Sequence, residues 1–190
     1  AKYAILNAPA GWGKSVLLCS LAGHDLLKNA TRKVVICVPQ TIISKGFIRR
    51  QSIGLPAGQI VHWDVDHNLC EAVPEKTSAL RQFLAEPGQG ELADRVVVTT
   101  HRTLSAAFQE MDSAAFATAI KSTTFAIDES HHIQSAQEES NRLGAAVSSL
   151  IEADDSTVRV ILATAFFFRG DKLPILEDRY VSQFRRHSVP

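Results

Sequence analysis

Short runs of apolar, mostly β-branched residues alternate along the chain with stretches in which apolar residues recur every three or four positions. The runs predict strands and the stretches predict helices, and this alternation is typical of an α/β fold with a mainly parallel sheet. The predicted strands are Tyr3–Asn7, Lys33–Val38, Ile60–Val65, Arg95–Thr99, Thr123–Asp128 and Val158–Thr164. Most of these runs are almost continuously apolar, as expected of strands covered on both faces.

The stretches between the strands predict an outer layer of helices. They are Lys14–Asn29, Thr41–Gln51, Lys76–Glu86, Thr103–Ile120 and Gln137–Ala153. The last has the clearest apolar stripe, formed by Leu143, Val147, Leu150 and Ile151. The pattern is lost after Arg169. We therefore expect one domain over residues 1–168 and a connector over residues 169–190 that leads to a further part of a longer chain.

Composition narrows the class of protein. Hydrophobic residues make up 45% and charged residues 21% of the 190 residues, and no apolar run approaches the length of a membrane span. The three cysteines (Cys19, Cys37 and Cys70) form no C-x-x-C pair, and the first two lie in apolar surroundings, which predicts buried thiols in a reducing cytoplasm. The formal net charge of zero neither supports nor excludes a nucleic-acid partner.

The first predicted strand is followed by a loop with the spacing of a Walker A motif. Residues Ala8–Ser15 read APAGWGKS, with Ala8 where the first glycine often stands. In such a loop the backbone N–H groups and the helix N-terminus bind phosphates, the lysine reaches the β- and γ-phosphates, and the hydroxyl binds Mg²⁺. The predicted nucleotide-binding residues are Ala10, Gly11, Trp12, Gly13, Lys14, Ser15 and Val16, with Ser15 also a metal ligand.

A second polar group ends the predicted strand Thr123–Asp128. Asp128 and Glu129 follow an apolar run, and the carboxyl ends of parallel strands meet at one edge of a sheet. Asp128 is therefore predicted to bind Mg²⁺. Glu129 is predicted to polarise the water that attacks the γ-phosphate, so that Lys14, Asp128 and Glu129 form the catalytic set.

These motifs and three others resemble those of superfamily-two, DEAD/DEAH-box-like helicases, in the forms typical of restriction subunits and phages. The resemblance covers residues 4–171. Its parts are Asp128–His131 as motif II, Val38–Thr41 as motif Ia, Val98–Leu104 as motif Ib, and Leu162–Ala165 followed by Phe166–Asp171 as motif III.

The resemblance implies a fold, cofactors and partners. The chain would be the first RecA-like domain of a P-loop NTPase with three layers, using ATP and Mg²⁺. It would act with a second RecA-like domain of the same chain, which supplies an arginine finger, and with nucleic acid, DNA being favoured over RNA. The resemblance also assigns Thr41, Thr99 and Thr100 to nucleic-acid binding, and His131 and Thr164 to coupling. Arg102 is a further candidate for phosphate contact, with an ordinary solvent-exposed arginine as the alternative.

Several alternatives stay open at this point. The chain could belong to a helicase or to a restriction-type DNA translocase subunit that does not separate strands. A nucleotide-binding interaction module with little hydrolysis is a further alternative. A self-contained small-molecule kinase would need a lid and its own arginine finger, which the residues after Ile151 do not suggest. Strand-end capping would equally explain the threonines. The run His62–His67 contains metal-ligand residue types but alternates like an edge strand with one exposed face.

Overall fold

A parallel sheet forms the centre of the molecule. The computed structural model describes residues 2–55, 58–71, 74–133, 142–165 and 176–188. The strands within these residues are β1 (Tyr3–Asn7), β2 (Lys33–Val38), β3 (Gln51–Gly54), β4 (Ile60–Trp63), β5 (His67–Asn68), β6 (Val96–Thr100), β7 (Thr123–Ile127), β8 (Arg159–Thr164) and β9 (Arg185–Ser188). Seven of them form the sheet in the order β5-β6-β2-β7-β8-β1-β9, and every neighbouring pair is parallel.

Helices cover both faces of this sheet. They are α1 (Lys14–Lys28), α2 (Lys45–Ile48), α3 (Lys76–Ala85), α4 (His101–Gln109), α5 (Ser113–Ala119), α6 (Arg142–Glu152) and α7 (Asp178–Val181). Leu18 of α1 belongs to one apolar cluster, whereas Leu104 of α4 and Val147 of α6 belong to another. Every residue of β2 and β7 is buried between the layers. The predicted three-layer α/β fold of the RecA-like P-loop type is confirmed.

The buried positions also confirm smaller predictions. The stripe of Leu143, Val147, Leu150 and Ile151 on α6 is buried, and residues 137–141 of the longer predicted helix lie outside the described residues. All three cysteines are free and buried. Burial raises the pKa of the Cys19 thiol to about 12, so this residue behaves as a small apolar side chain.

The predicted helix Thr41–Gln51 is wrong in its second half. A 3-10 turn over Thr41–Ser44 leads into the single turn of α2, and Gln51 already begins β3. Strand β3 pairs antiparallel with β4, so the predicted strand Ile60–Val65 ends at Trp63 and lies in a two-stranded sheet apart from the parallel one. Val61 and Trp63 are buried while His62 is exposed, as the alternation predicted. Pairing with β4 and burial of Ile53 outweigh the local helical pattern.

The predicted helix Thr103–Ile120 is two helices. Helix α4 runs from His101 to Gln109, and α5 begins at Ser113 after the N-cap residue Asp112, so the helix is interrupted between them. The Asp112 side chain accepts a hydrogen bond from the Ala115 backbone N–H at 2.8 Å, so it starts a new helix instead of continuing the first. The apolar pattern runs through the break because both helices pack on the same face of the sheet.

The apolar pattern does not reveal β9, which lies inside the predicted connector. All four of its residues are exposed, and it pairs with β1 at the edge of the sheet. A polar strand of this kind has no apolar signature, and only its pairing with β1 defines it. The predicted boundary between residues 168 and 169 lies outside the described residues and stays a prediction.

Candidate nucleotide-binding site

The loop between β1 and α1 is shaped by two glycines. Gly11 has φ of 82° and Gly13 has φ of 75°, both in the left-handed region that side chains avoid. Within 4 Å of the position that a Cβ would occupy on either residue there is no other atom, so the loop borders open space. Gly13 is the N-cap of α1 and supplies no capping side chain. The first N–H groups of this helix therefore remain available to an anion.

Lys14 joins this loop to the acidic pair. The lysine is almost buried, and its Nζ donates to the carbonyl oxygens of Ala8 at 3.3 Å and Pro9 at 3.5 Å. The same Nζ lies 3.5 Å from Oε1 of Glu129. The two motifs that the sequence analysis singled out, separated by more than a hundred residues, thus meet at the carboxyl edge of the sheet.

Glu129 is held at both carboxylate oxygens. Lys14 contacts Oε1, and Nδ1 of His131 lies 3.2 Å from Oε2. The Glu129 backbone is left-handed, with φ of 48° and ψ of 48°, a conformation that is costly for a residue with a Cβ and that concentrates at functional sites. Its side chain stays 24% exposed, so water can reach the carboxylate. The predicted coupling residue His131 therefore lies directly against the predicted base.

Asp128 is the buried member of the pair. It is only 3% exposed, and its Oδ1 accepts a hydrogen bond from the Glu129 backbone N–H at 3.0 Å. Burial, together with the neighbouring charge of Glu129, raises the pKa of Asp128 to about 6. A carboxylate that is buried next to another carboxylate is a favourable ligand for a divalent cation, which compensates both charges.

The other predicted metal ligand, Ser15, lies at the start of α1 in a partly buried position. Gly46 of α2 packs beside it, and a Cβ on Gly46 would lie 3.5 Å from the Ser15 Oγ. The buried hydroxyl of Ser130, next to the acidic pair, has no hydrogen-bond partner among the described residues. These hard oxygen donors suit Mg²⁺, so the residues present fit the ion that the sequence predicts.

The remaining nucleotide-binding candidates are on the surface of the loop and of α1. Ala10 is exposed, Trp12 is 56% exposed and Val16 is 47% exposed. Trp12 and Val16 are one helical turn apart in sequence and present apolar side chains to solvent beside the phosphate loop.

The four predicted nucleic-acid contacts have different surroundings. Thr41 is exposed and its hydroxyl donates to the Cys70 carbonyl oxygen at 3.0 Å, and Arg102 is exposed on the first turn of α4. The Thr100 hydroxyl caps α4 by accepting from the Thr103 backbone N–H at 3.2 Å. Thr99 is fully buried, so its side chain does not reach the surface. A role of these residues in nucleic-acid binding stays a prediction.

Two further contacts tie the site to neighbouring strands. The Thr164 carbonyl oxygen, at the end of β8, accepts from the Ala8 backbone N–H at 3.0 Å, so the predicted coupling residue is linked to the first residue of the phosphate loop. The Nε2 of His101 lies 3.0 Å from the Asp128 carbonyl oxygen, a contact that the sequence pattern does not reveal. The position of His101 within Val98–Leu104, the stretch that resembles motif Ib, is the only signal that the sequence offers for it. The rest of motif III, Phe166–Asp171, lies outside the described residues.

Among the described residues, no helix is long and apolar enough to cross a bilayer, and no three His, Cys, Asp or Glu side chains converge as a metal cluster. Fold and site together define a P-loop domain of the RecA-like type. Comparison with protein families assigns it further. The family model described as "Type III restriction enzyme, res subunit" matches residues 1–169, and the chain belongs to this family. The resemblance to superfamily-two helicases is thereby confirmed.

The chain is also similar to a curated protein of Bacillus subtilis (strain 168) that is named "Putative ATP-dependent helicase YeeB". The two are 31% identical over 177 residues, which is 93% of this chain and 27% of the relative. The chain thus spans about a quarter of the length of this relative.

Proposed function

We propose that this chain binds Mg-ATP and hydrolyses it as one half of a nucleic-acid-dependent helicase or translocase motor. The observation that carries the proposal is the contact between Lys14 and Glu129, 3.5 Å apart, which joins the phosphate loop to the acidic pair. Membership of the restriction-subunit family and the name of the Bacillus relative support the same class of activity.

The geometry supports separate roles for the groups of the site in binding phosphate and in activating water. The free N–H groups of the first turn of α1 and the Lys14 ammonium are available to bind the β- and γ-phosphates of the substrate. When Lys14 turns from Glu129 to a phosphate, Glu129 loses one partner and keeps His131. The carboxylate is then free to accept a proton from the attacking water.

Ser15 and Asp128 are proposed to hold Mg²⁺. The ion, when bound, would neutralise charge on the phosphate oxygens. Asp128 is fixed for this task because its backbone N–H donates to the Cys37 carbonyl oxygen at 2.9 Å and its Oδ1 accepts from the Glu129 N–H.

The proposed nucleic-acid partner is DNA, because the family to which the chain belongs is that of a restriction-enzyme subunit. Arg102 and Thr41 are exposed near the ends of β6 and β2, next to the edge that carries the nucleotide motifs. Thr41, Thr100 and Arg102 are proposed to contact the phosphate backbone, and the buried Thr99 is proposed to support that edge from within the fold. A second RecA-like domain of the same full-length chain is proposed to supply the arginine finger.

Nucleotide binding is tested by Lys14→Ala in the full-length protein. Removal of the ammonium group takes a point charge from the phosphates, and we expect tight Mg-ATP binding to be lost in isothermal titration calorimetry. Lys28→Ala, at the exposed end of the same helix, is the matched control and should leave the affinity unchanged. Equal affinities in all three proteins would contradict the assignment of the phosphate loop.

Hydrolysis is tested by Glu129→Gln. The amide keeps the shape of the side chain but cannot take a proton, so steady-state turnover should fall by about 10²-fold or more while ATP affinity is retained. Glu91→Gln, at an exposed position outside the site, should hydrolyse like the wild type. Near-normal turnover in the Glu129 variant would show that another group is the base.

A further inference from the structure

His101 is the first residue of α4, and its side chain contacts the end of a strand that is not adjacent to β6, the strand that precedes α4. Helix α4 follows β6, whereas Asp128 follows β7, and β2 lies between these two strands in the sheet. The His101 side chain is 9% exposed, and its Nε2 lies 3.0 Å from the Asp128 carbonyl oxygen. Because a carbonyl oxygen only accepts, the ring must carry its proton on Nε2 and donate it.

This hydrogen bond completes the fixation of the Asp128 peptide. The Asp128 N–H is held by the Cys37 carbonyl oxygen at the end of β2, and the Asp128 carbonyl is held by His101. The same carbonyl belongs to the peptide bond that leads into Glu129, whose backbone is left-handed. A shift of His101 would therefore be passed directly to the residue that is proposed to activate water.

The residues on either side of His101 are accessible to solvent. His101 is flanked by Thr100, which caps α4 and is only partly buried, and by Arg102, which points into solvent. The cap ties Thr100 to Thr103 through both the backbone N–H at 3.2 Å and the hydroxyl at 2.9 Å, so the first turn of α4 moves as a unit. A ligand that contacts Thr100 or Arg102 therefore acts on the turn that contains His101.

We infer that His101 is a positioning residue that transmits nucleic-acid binding at the first turn of α4 to the Asp128–Glu129 pair. The inference rests on the proposed function, because it names the route by which nucleic acid regulates the ATPase site. His101 touches neither nucleotide nor nucleic acid in this scheme. It acts through the Asp128 carbonyl, and its contribution is the difference between stimulated and basal turnover.

The test compares two amides at position 101 in the full-length protein. Glutamine places its Nε2 donor close to where the imidazole Nε2 stands, whereas the asparagine amide is one methylene too short to reach the Asp128 carbonyl. The ratio of ATP turnover with and without saturating DNA, single-stranded and duplex in separate arms, should fall about tenfold in His101→Asn, within the usual range of couplings between sites. His101→Gln should keep most of the ratio. His24→Asn, on α1 outside the site, is the matched control and should keep it entirely.

The KM for ATP and the Kd for DNA separate positioning from a structural effect, since both should stay within about twofold in the His101 variants. An unchanged ratio in His101→Asn, or equal losses in the asparagine and glutamine variants, would overturn the inference. A wild-type protein that hydrolyses ATP without any response to DNA or RNA would instead contradict the proposed function itself.

A measurement on the wild type covers the case in which His101→Asn does not fold. DNA binding should change amide hydrogen exchange in residues 100–104 and in residues 127–131 together, because the His101 hydrogen bond connects them. A change confined to residues 100–104 would show that binding is not transmitted and would also overturn the inference.

Discussion

At the end of β7 two neighbouring carboxylates have opposite surroundings. Glu129 is partly exposed and lies against Lys14 and His131, both of which can carry positive charge. Asp128 is buried and its carboxylate accepts only the Glu129 backbone N–H among the hydrogen bonds of the described residues. The exposed group is thus suited to meet water and the buried group to meet a cation, and this difference comes from a single residue step along the chain.

The raised pKa of Asp128 has a consequence for stability. Folding raises the pKa from 3.8 to about 6, so the folded chain binds more protons than the unfolded chain between these values, and its stability falls as the pH rises through this window. Asp128→Asn removes the buried charge and keeps the acceptor for the Glu129 N–H. We therefore expect it to raise the free energy of unfolding by about 3 kcal/mol at neutral pH, with the gain shrinking as the pH falls toward 4.

Urea unfolding with EDTA and without nucleotide measures this gain. Asp66→Asn, at an exposed position, is the control and should change stability at neither pH. A loss of stability in Asp128→Asn at neutral pH would mean that the carboxylate is compensated inside the protein and has no need of a cation.

At the scale of elements, two helices on opposite faces of the sheet each end against a basic side chain. In both cases the side chain comes from elsewhere in the chain and donates hydrogen bonds to carbonyl oxygens at the C-terminal end of the helix. Lys33, at the start of β2, donates to the carbonyl oxygens of Phe83 at 3.2 Å and Glu86 at 2.6 Å, at the end of α3. Arg95, just before β6, donates to the carbonyl oxygen of Leu26 at 3.3 Å, in the last turn of α1, and to that of the C-cap residue Asn29 at 3.1 Å. A cation at a helix C-terminus satisfies free carbonyls and opposes the helix dipole.

Lys33→Met tests this cap, because methionine keeps the apolar stem and removes the three donors. Loss of hydrogen bonds from a charged group to carbonyls that are partly buried should lower the free energy of unfolding by about 2 kcal/mol. Burial lowers the pKa of Lys33 to about 8, so the measurement belongs at slightly acidic pH, where the ammonium group is charged in both states. Lys28→Met, at an exposed position on α1, should change stability by less than about 0.5 kcal/mol, and equal effects of the two substitutions would contradict the capping role.

On the scale of the whole molecule, folding and catalysis have different requirements. The seven-stranded sheet, its helices on both faces and the two nucleotide motifs lie within the 190 residues. Stabilisation of the charge that develops on the γ-phosphoryl group requires an arginine finger, which contributes about 10³–10⁵ in rate in comparable NTPases. The resemblance to superfamily-two helicases implies that this arginine comes from the second RecA-like domain.

The isolated 190-residue chain is therefore expected to fold and to bind nucleotide weakly, but to hydrolyse ATP very slowly and to unwind no duplex. Steady-state ATPase activity, compared with that of its Glu129→Gln variant, measures this. Turnover above about 1 s⁻¹ that the variant loses would show that the active site is complete within the chain, and the proposal of half a motor would be wrong.

The sequence by itself determined the class of fold and singled out the residues that are proposed to carry the chemistry. Strands β1, β2 and β7 are apolar runs that local pattern defines, and the phosphate loop and acidic pair follow such runs, so their meeting at one edge could be derived from parallel pairing alone. The exposed strand β9, the strand β3 and the pairing of β3 with β4 could not be predicted, because these pairings are contacts in space and the residues of β9 and β3 carry a weak or misleading pattern. The same holds for His101, whose proposed role depends on a contact with Asp128 across an intervening strand, and for Thr99, whose burial depends on the layers that close over it. Local periodicity depends only on residues that are close in sequence, whereas contacts between distant strands and helices exist only once the layers have packed.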